Sequence, residues 1–424
     1  MSNPALAVPR IMLPMQGTRT SDAARPIDDA AGRRSRRAGV TLFRNGFRPF
    51  FFGAGVWAVI AMAVRIAELS GYDVPVYAFH DPTLWHANAF LFGYGGAVVA
   101  GFALTAIPNW TGRLPIAGGP LAALFALWLA GRIALFMPQL PATVTMAIDV
   151  AFLPVLAGVA AREIIAGKNL RNIPVCLAIA LLGTANIVLH LEALDVIPQE
   201  RYGVRIGIAV LIGLMGLIGG RIVPSFTTNW LARHNKPRLA PTVAVVERLT
   251  HASTGAAFLL WIAFPYSPFA GAALLLASTA HAVRLYSWQG WRTLAEPLVL
   301  VLHAGYAWIP VGLFLLGTTI LLDPAVSSTT LHALTVGAIG TMTLAVMTRA
   351  TLGHTGRELR ASAGTAVLYA AISASAVARV LAGFVPQFGI AFFATAGALW
   401  ILAFGLFVAI YGPMHLQPRV GETS

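Results

Sequence analysis

Twelve apolar runs of about 17 to 24 residues, each long enough to cross about 30 Å of hydrocarbon as a helix, constrain this chain more than any motif. They predict helices near 47–69, 84–107, 120–137, 143–161, 173–194, 203–221, 243–264, 267–285, 296–318, 328–349, 364–384 and 388–411. Only the break Phe264-Pro265-Tyr266-Ser267-Pro268 separates the seventh run from the eighth. The runs are continuous rather than alternating, which excludes a β-barrel. Of the 424 residues 57% are hydrophobic and 11% charged, against about 25% charged in a soluble domain. The expected fold is an all-α membrane protein, a bundle of about twelve transmembrane helices.

The basic residues orient that bundle. Arg33, Arg34, Arg36, Arg37, Arg44 and Arg48 precede or open the first span. Arg113, then Arg162, Lys168 and Arg171, then Arg221, Arg233, Lys236 and Arg238 follow successive even-numbered spans, as do Arg284, Arg292, Arg349, Arg357 and Arg360. The opposite loops carry Arg201 and Arg205 and almost nothing else of that sign. The positive-inside rule then places both termini in the cytoplasm. The formal charge of +13 expresses this topology together with attraction to anionic lipid. Its spread over short loops argues against nucleic acid as a partner. Residues 1–43 are expected to form a disordered basic cytoplasmic tail, 44–415 a single transmembrane domain, and 416–424 a short cytoplasmic tail.

Cys176 is the one cysteine. That excludes an intrachain disulfide, a CxxC site, c-type haem attachment and a cysteine-held iron–sulfur cluster. Small-xxx-small pairs, Gly203 with Gly207 and Gly216 with Gly220, predict close helix packing in span six. No internal repeat is evident, which weakens an ordinary transporter reading.

Ionisable residues inside a bilayer are costly and mark function. Here they are mostly histidines. His80, His86, His190 and His332 fall toward the outer face, and His251 and His303 in the inner half. His281 falls near the cytoplasmic end of span eight. His234, His354 and His415 fall in cytoplasmic loops or the tail. Neutral imidazole ligates haem iron and copper without placing a charge in lipid. The bland alternative for each is a hydrogen-bonded helix-end residue. Arg65 reads as snorkelling to the interface. Arg132 and Arg379 are open to a second reading as partners of haem propionates.

Four segments then carry a family resemblance: FRPFFFGAGVWA at 47–58, WHANAFLFGYGGAVVAGFALTAIPNWTGR at 85–113, GGRIVPSFTTNWL at 219–231 and HALTVGAIGTMTLAVMTRATLGHTGR at 332–357. They resemble the NnrS family over essentially residues 44–420. The resemblance implies a twelve-span bacterial inner-membrane protein with b-type haem and copper, serving the nitric-oxide response and denitrification. His86 matches the family's W-H-A-H-E pattern, where Asn88 and Ala89 replace the second histidine and the acid. His190 matches N-x-x-x-H, His303 matches L-H-x-G-Y, and His332 matches H-A-L-T. His354 matches L-G-H-T-G-R, with a structural or partner role expected from its loop position.

The resemblance implies His86, His190, His303 and His332 as haem or metal ligands, with His251 next. Ligands to one iron should share a depth, so the outer histidines and the inner pair define two candidate centres. Asn binds these metals poorly, which puts the copper site in question. Nitric oxide is the expected ligand or substrate. Turnover would make the protein a membrane haem oxidoreductase and would require an unidentified electron donor. No catalytic residue is assigned. The twelve-span count is shared with haem–copper oxidases, but their adjacent histidine pair is missing. Two other classes stay open: a non-enzymatic haem or copper handling protein, and a proton-coupled small-solute transporter.

Overall fold

A computed structural model describes residues 39–72, 81–323 and 327–422. Within them the apolar runs become helices, and there are no strands. Ten are long and apolar enough to cross a membrane: α1 Phe47–Leu69, α2 Pro82–Thr111, α4 Ala142–Ala166, α5 Leu170–Ala193, α6 Tyr202–Arg233, α8 Pro268–Ser287, α9 Pro297–Leu322, α10 Thr329–His354, α11 Ala363–Phe384 and α12 Pro386–Leu416. The chain is thus a multi-pass membrane protein. The other two expected spans also form helices, α3 Gly119–Ala134 and α7 Ala244–Ala263. α3 is only 16 residues long, and α7 carries Glu247 and Arg248 in its opening turns. Most of the expected N-terminal tail, together with His80, lies outside the described residues.

Local chemistry sets the helix ends. Asp81, Ser267, Glu296 and Ser362 accept backbone N–H bonds at the starts of α2, α8, α9 and α11, satisfying donors that an α-helix leaves open. Gly112 and Gly356 terminate α2 and α10 at φ +68° and +75°, a left-handed conformation that glycine adopts without a Cβ penalty.

Successive helices run antiparallel. Arg48 donates to the carbonyls of Met414, His415 and Gln417, and Arg113 pairs with Glu163 at 2.6 Å. Those contacts define a basic face. Arg201 and Asp81, 3.8 Å apart, belong to the opposite face. α1 packs on α2 and α12, α12 on α11, and α9 on α8 and α10. The most enclosed helices are α2 and α10, with 72% and 78% of their apolar windows buried.

Several boundaries differ from the sequence expectation. α6 runs on to Arg233, so Arg221 lies inside the helix. Its guanidinium reaches out from the helix interior to Asn172 Oδ1 at 3.4 Å, as a long basic side chain can. α10 continues past Arg349, whose guanidinium covers the Phe226 ring at 4.0 Å. His354 is therefore the last helical residue rather than a loop residue. His415 is not in a tail: it is fully buried near the end of α12, with its ring against Phe47 and Phe407.

The two enclosed helices share a design. Each opens on His-Ala (His86-Ala87, His332-Ala333), passes into π-helix (Ala89–Tyr94, Ala333–Gly340), resumes α-helix, and ends in Thr-Gly-Arg (111–113, 355–357). π-Helical turns inside α-helices are rare and concentrate at functional sites. Their altered ladder is accommodated by neighbours. Trp57 Nε1 donates to Ala89 O at 2.8 Å and Trp128 Nε1 to Gly93 O at 2.9 Å. Tyr94 and Thr343 hydroxyls, 2.5 Å apart, tie the two helices together.

Candidate functional site

His86 and His332, one turn or less ahead of the two π segments, meet near the face opposite the basic one. Their rings lie 6.4 Å apart centre to centre and 25° from parallel. A metal between two imidazoles holds their ring centres about 6 Å apart, given a metal–nitrogen distance of about 2.0 Å. His86 Nδ1 is buried and makes no hydrogen bond, which leaves it available to a ligand. Phe90 packs on His86 at 4.9 Å, and Trp400 packs on Phe90 at 5.4 Å. Arg65 and Arg379 lie within electrostatic reach of His86. Arg65 is paired with Glu68 at 2.6 Å. Arg379 sits over Phe393 at 4.3 Å with its Nη1 buried and lacking a hydrogen-bond partner. Two neighbouring imidazoles, one with an unpartnered Nδ1, beside an unsatisfied cation would suit a haem with anionic propionates.

Asn88 belongs to a different assembly, built on Asp149. One oxygen of that carboxylate, Oδ2, accepts from Asn88 Nδ2 at 3.0 Å, Asn186 Nδ2 at 3.0 Å and His190 Nε2 at 2.9 Å. The other faces Arg132 in an ion pair. Asn88 Nδ2 also donates to Asn186 Oδ1 at 2.9 Å. All five side chains are buried, and four helices, α2 to α5, supply them. Gly131 makes room: a Cβ there would stand 2.9 Å from Asp149 Oδ1. The Trp57 ring supports Arg132 at 5.6 Å. A carboxylate holding three donors and a guanidinium keeps its charge inside the bundle. With the amide of Asn88 and the Nε2 of His190 both spent on Asp149, this donor set does not suit copper. Among the described residues no three His, Cys, Asp or Glu side chains cluster as metal ligands.

The inner histidines separate. His303 is buried in α9, its Nε2 2.8 Å from Thr227 Oγ1. His251 is exposed on α7, with Nδ1 on its own Glu247 carbonyl at 2.6 Å. Each is held by a different partner, so among the described residues the expected inner pair does not assemble as a pair.

Sequence reasoning passed over a second polar knot, around His281. Arg284 pairs with Glu247 and donates to Gly216 O and Tyr306 Oη at 2.8 and 2.9 Å. Tyr306 in turn lies 2.8 Å from His281 Nδ1, whose Nε2 reaches Thr254 Oγ1 at 2.9 Å. The available signal was a histidine three residues ahead of an arginine in an otherwise apolar run.

No curated protein matches this chain. A family profile described as NnrS protein matches residues 41–419, nearly the whole sequence and both π-bearing helices. The chain belongs to the NnrS family.

Proposed function

We propose that this chain is a haem protein of the bacterial inner membrane, its basic face and both termini cytoplasmic, that binds nitric oxide in defence against nitrosative stress. The observation that carries the reading is the His86–His332 pair, projected from the two most enclosed helices of an NnrS-family chain. A b-type haem, if bound there, would supply an iron able to bind nitric oxide. The protein's own groups would do the rest. His86 and His332 would hold the iron. Arg379 balances the anionic edge. Phe90 and Trp400 keep water out. Nitric oxide, small and apolar, enters through the bilayer and needs no polar channel. Copper forms no part of this reading.

A reduced-minus-oxidised optical spectrum of the purified protein, repeated after adding nitric oxide, tests it. The expected result is a b-type spectrum that shifts with nitric oxide, lost to a similar degree in His86→Ala and His332→Ala and retained in His251→Ala. Metal-free protein from haem-sufficient cells would overturn the reading in favour of a proton-coupled transporter. Haem that ignores nitric oxide would favour a haem-handling role.

A further inference from the structure

A groove of about 710 Å³ opens on the outside of the bundle between α8 and α9. Leu285, Leu294, Leu300, Val311 and Phe314 form much of its apolar wall, and no Asp, Glu, Lys or Arg lines it. Along α9 the lining runs from Leu300 to Leu315, about 22 Å at the α-helical rise. α9 starts at the basic face, so the groove begins there and descends toward the bilayer midplane, about 15 Å into the hydrocarbon. That is the depth of one leaflet, and length and polarity together suit an acyl chain.

The surroundings of the mouth select the headgroup. Tyr286 and Trp291 stand there, ring centres 5.1 Å apart and 72% and 51% exposed, as aromatic residues do at headgroup level. Beside Trp291, the Arg292 guanidinium is braced by two neutral acceptors, Gln289 Oε1 at 2.9 Å and Pro237 O at 2.6 Å. Those contacts engage two of its five N–H groups. The second contact also ties the 234–243 loop to this end of the groove, and with it Lys236 and Arg238, both exposed. Lys236 Nζ lies over the Trp230 ring at 4.8 Å. Among the described residues none of these three cations pairs with a carboxylate. The nearest acid in sequence, Glu296, is turned to backbone N–H groups, those of Leu298 at 3.1 Å and Ala361 at 3.4 Å. The mouth therefore carries uncompensated positive charge above an apolar slot.

We propose that this groove holds one anionic phospholipid of the leaflet at the basic face. An acyl chain lies along Val311 and Phe314, the glycerol backbone sits at the level of Tyr286 and Trp291, and the headgroup charge meets Arg292, with Lys236 and Arg238 beyond it. A zwitterionic lipid fits the same walls but brings a further cationic group to a mouth that already holds three. Charge thus decides between lipids that the apolar walls accept alike. The site is separate from the His86–His332 pair and does not depend on haem.

Native mass spectrometry of the detergent-solubilised full chain tests this, with dioleoylphosphatidylglycerol and dioleoylphosphatidylcholine titrated separately. One retained lipid is expected, with phosphatidylglycerol favoured about fivefold, the effect of one basic side chain on an anionic lipid. Arg292→Gln should reduce that preference, and combining it with Lys236→Gln and Arg238→Gln should remove it. Ala282→Trp, at an exposed position in the groove wall, should prevent retention of either lipid. Arg171→Gln, which removes an exposed cation at the start of α5, should change nothing. Equal retention of the two lipids by the native protein, or a preference reduced as much by Arg171→Gln as by Arg292→Gln, would overturn the proposal in favour of the general field of the basic face. Undiminished retention in Ala282→Trp would overturn it by placing the lipid elsewhere. Disulfide cross-linking between copies bearing Phe314→Cys would overturn it by assigning the groove to a second chain.

Discussion

Among single residues, Asp149 bears the largest consequence. Among the described residues it is the carboxylate paired with Arg132, and three further donors converge on its Oδ2. Removing one partner of a buried pair leaves the other charge uncompensated, at a cost of about 3–5 kcal/mol. Asp149→Ala should lower stability by that order. Asn88→Ala, which removes neutral donors alone, should cost only about 1 kcal/mol, in keeping with hydrogen bonds between membrane helices. Replacing Arg132 and Asp149 together by leucine should cost less than the two single losses combined. Reversible unfolding in mixed detergent micelles measures these variants, with Arg132→Leu and Asp149→Leu alone, against the native protein. Equal losses in Asp149→Ala and Asn88→Ala would mean that the carboxylate is not the pivot of the cluster.

At the level of the element, the helix positions were legible because hydropathy over some twenty residues is a local property of the chain. What each helix does with its polar residues was not. Asn88 reads as a missing ligand in the sequence. In the structure it is a donor to an aspartate from another helix, and nothing local announces that partner. His415 reads as a tail residue because Gln417 and Arg419 follow it closely, yet Arg48 ties down the carbonyls around it and holds the helix end in place. The π segments were also hidden, since their residues are as apolar as the α-helix around them, but the shared His-Ala and Thr-Gly-Arg pairs stand in the sequence itself. Each π segment changes the register between its histidine and the rest of the helix. Deleting one residue, Leu91, should restore α-helix and turn His86 by about 100° relative to α2's basic end. Haem absorbance should then fall as far as in His86→Ala, with helical circular dichroism kept. Full haem retention in the deletion would separate the π segment from ligand placement.

For the whole molecule, the chain is well suited to a direct test of which way the bundle faces. Basic residues gather at one face, and a membrane potential and an anionic inner leaflet both favour that face in the cytoplasm. Cys176 is the sole cysteine and is buried, so a thiol added at an exposed position is read against almost no background. Gln139 and Gln199 are exposed at the face opposite the basic one, and Ala240 is exposed at the basic face. In intact spheroplasts, a membrane-impermeant maleimide should label Gln139→Cys and Gln199→Cys and leave Ala240→Cys unlabelled until the membrane is opened. The same experiment checks the two helices whose length and charge leave their spans in question. Gln139 follows α3 and reports whether that helix carries the chain across, and Tyr266→Cys, at an exposed position after α7, reports the same for α7 when labelled from outside. Labelling of Gln139→Cys only after lysis, with Gln199→Cys labelled from outside, would mean that α3 does not span. Reversal of all three would turn the bundle over, leaving the His86–His332 pair near the cytoplasm.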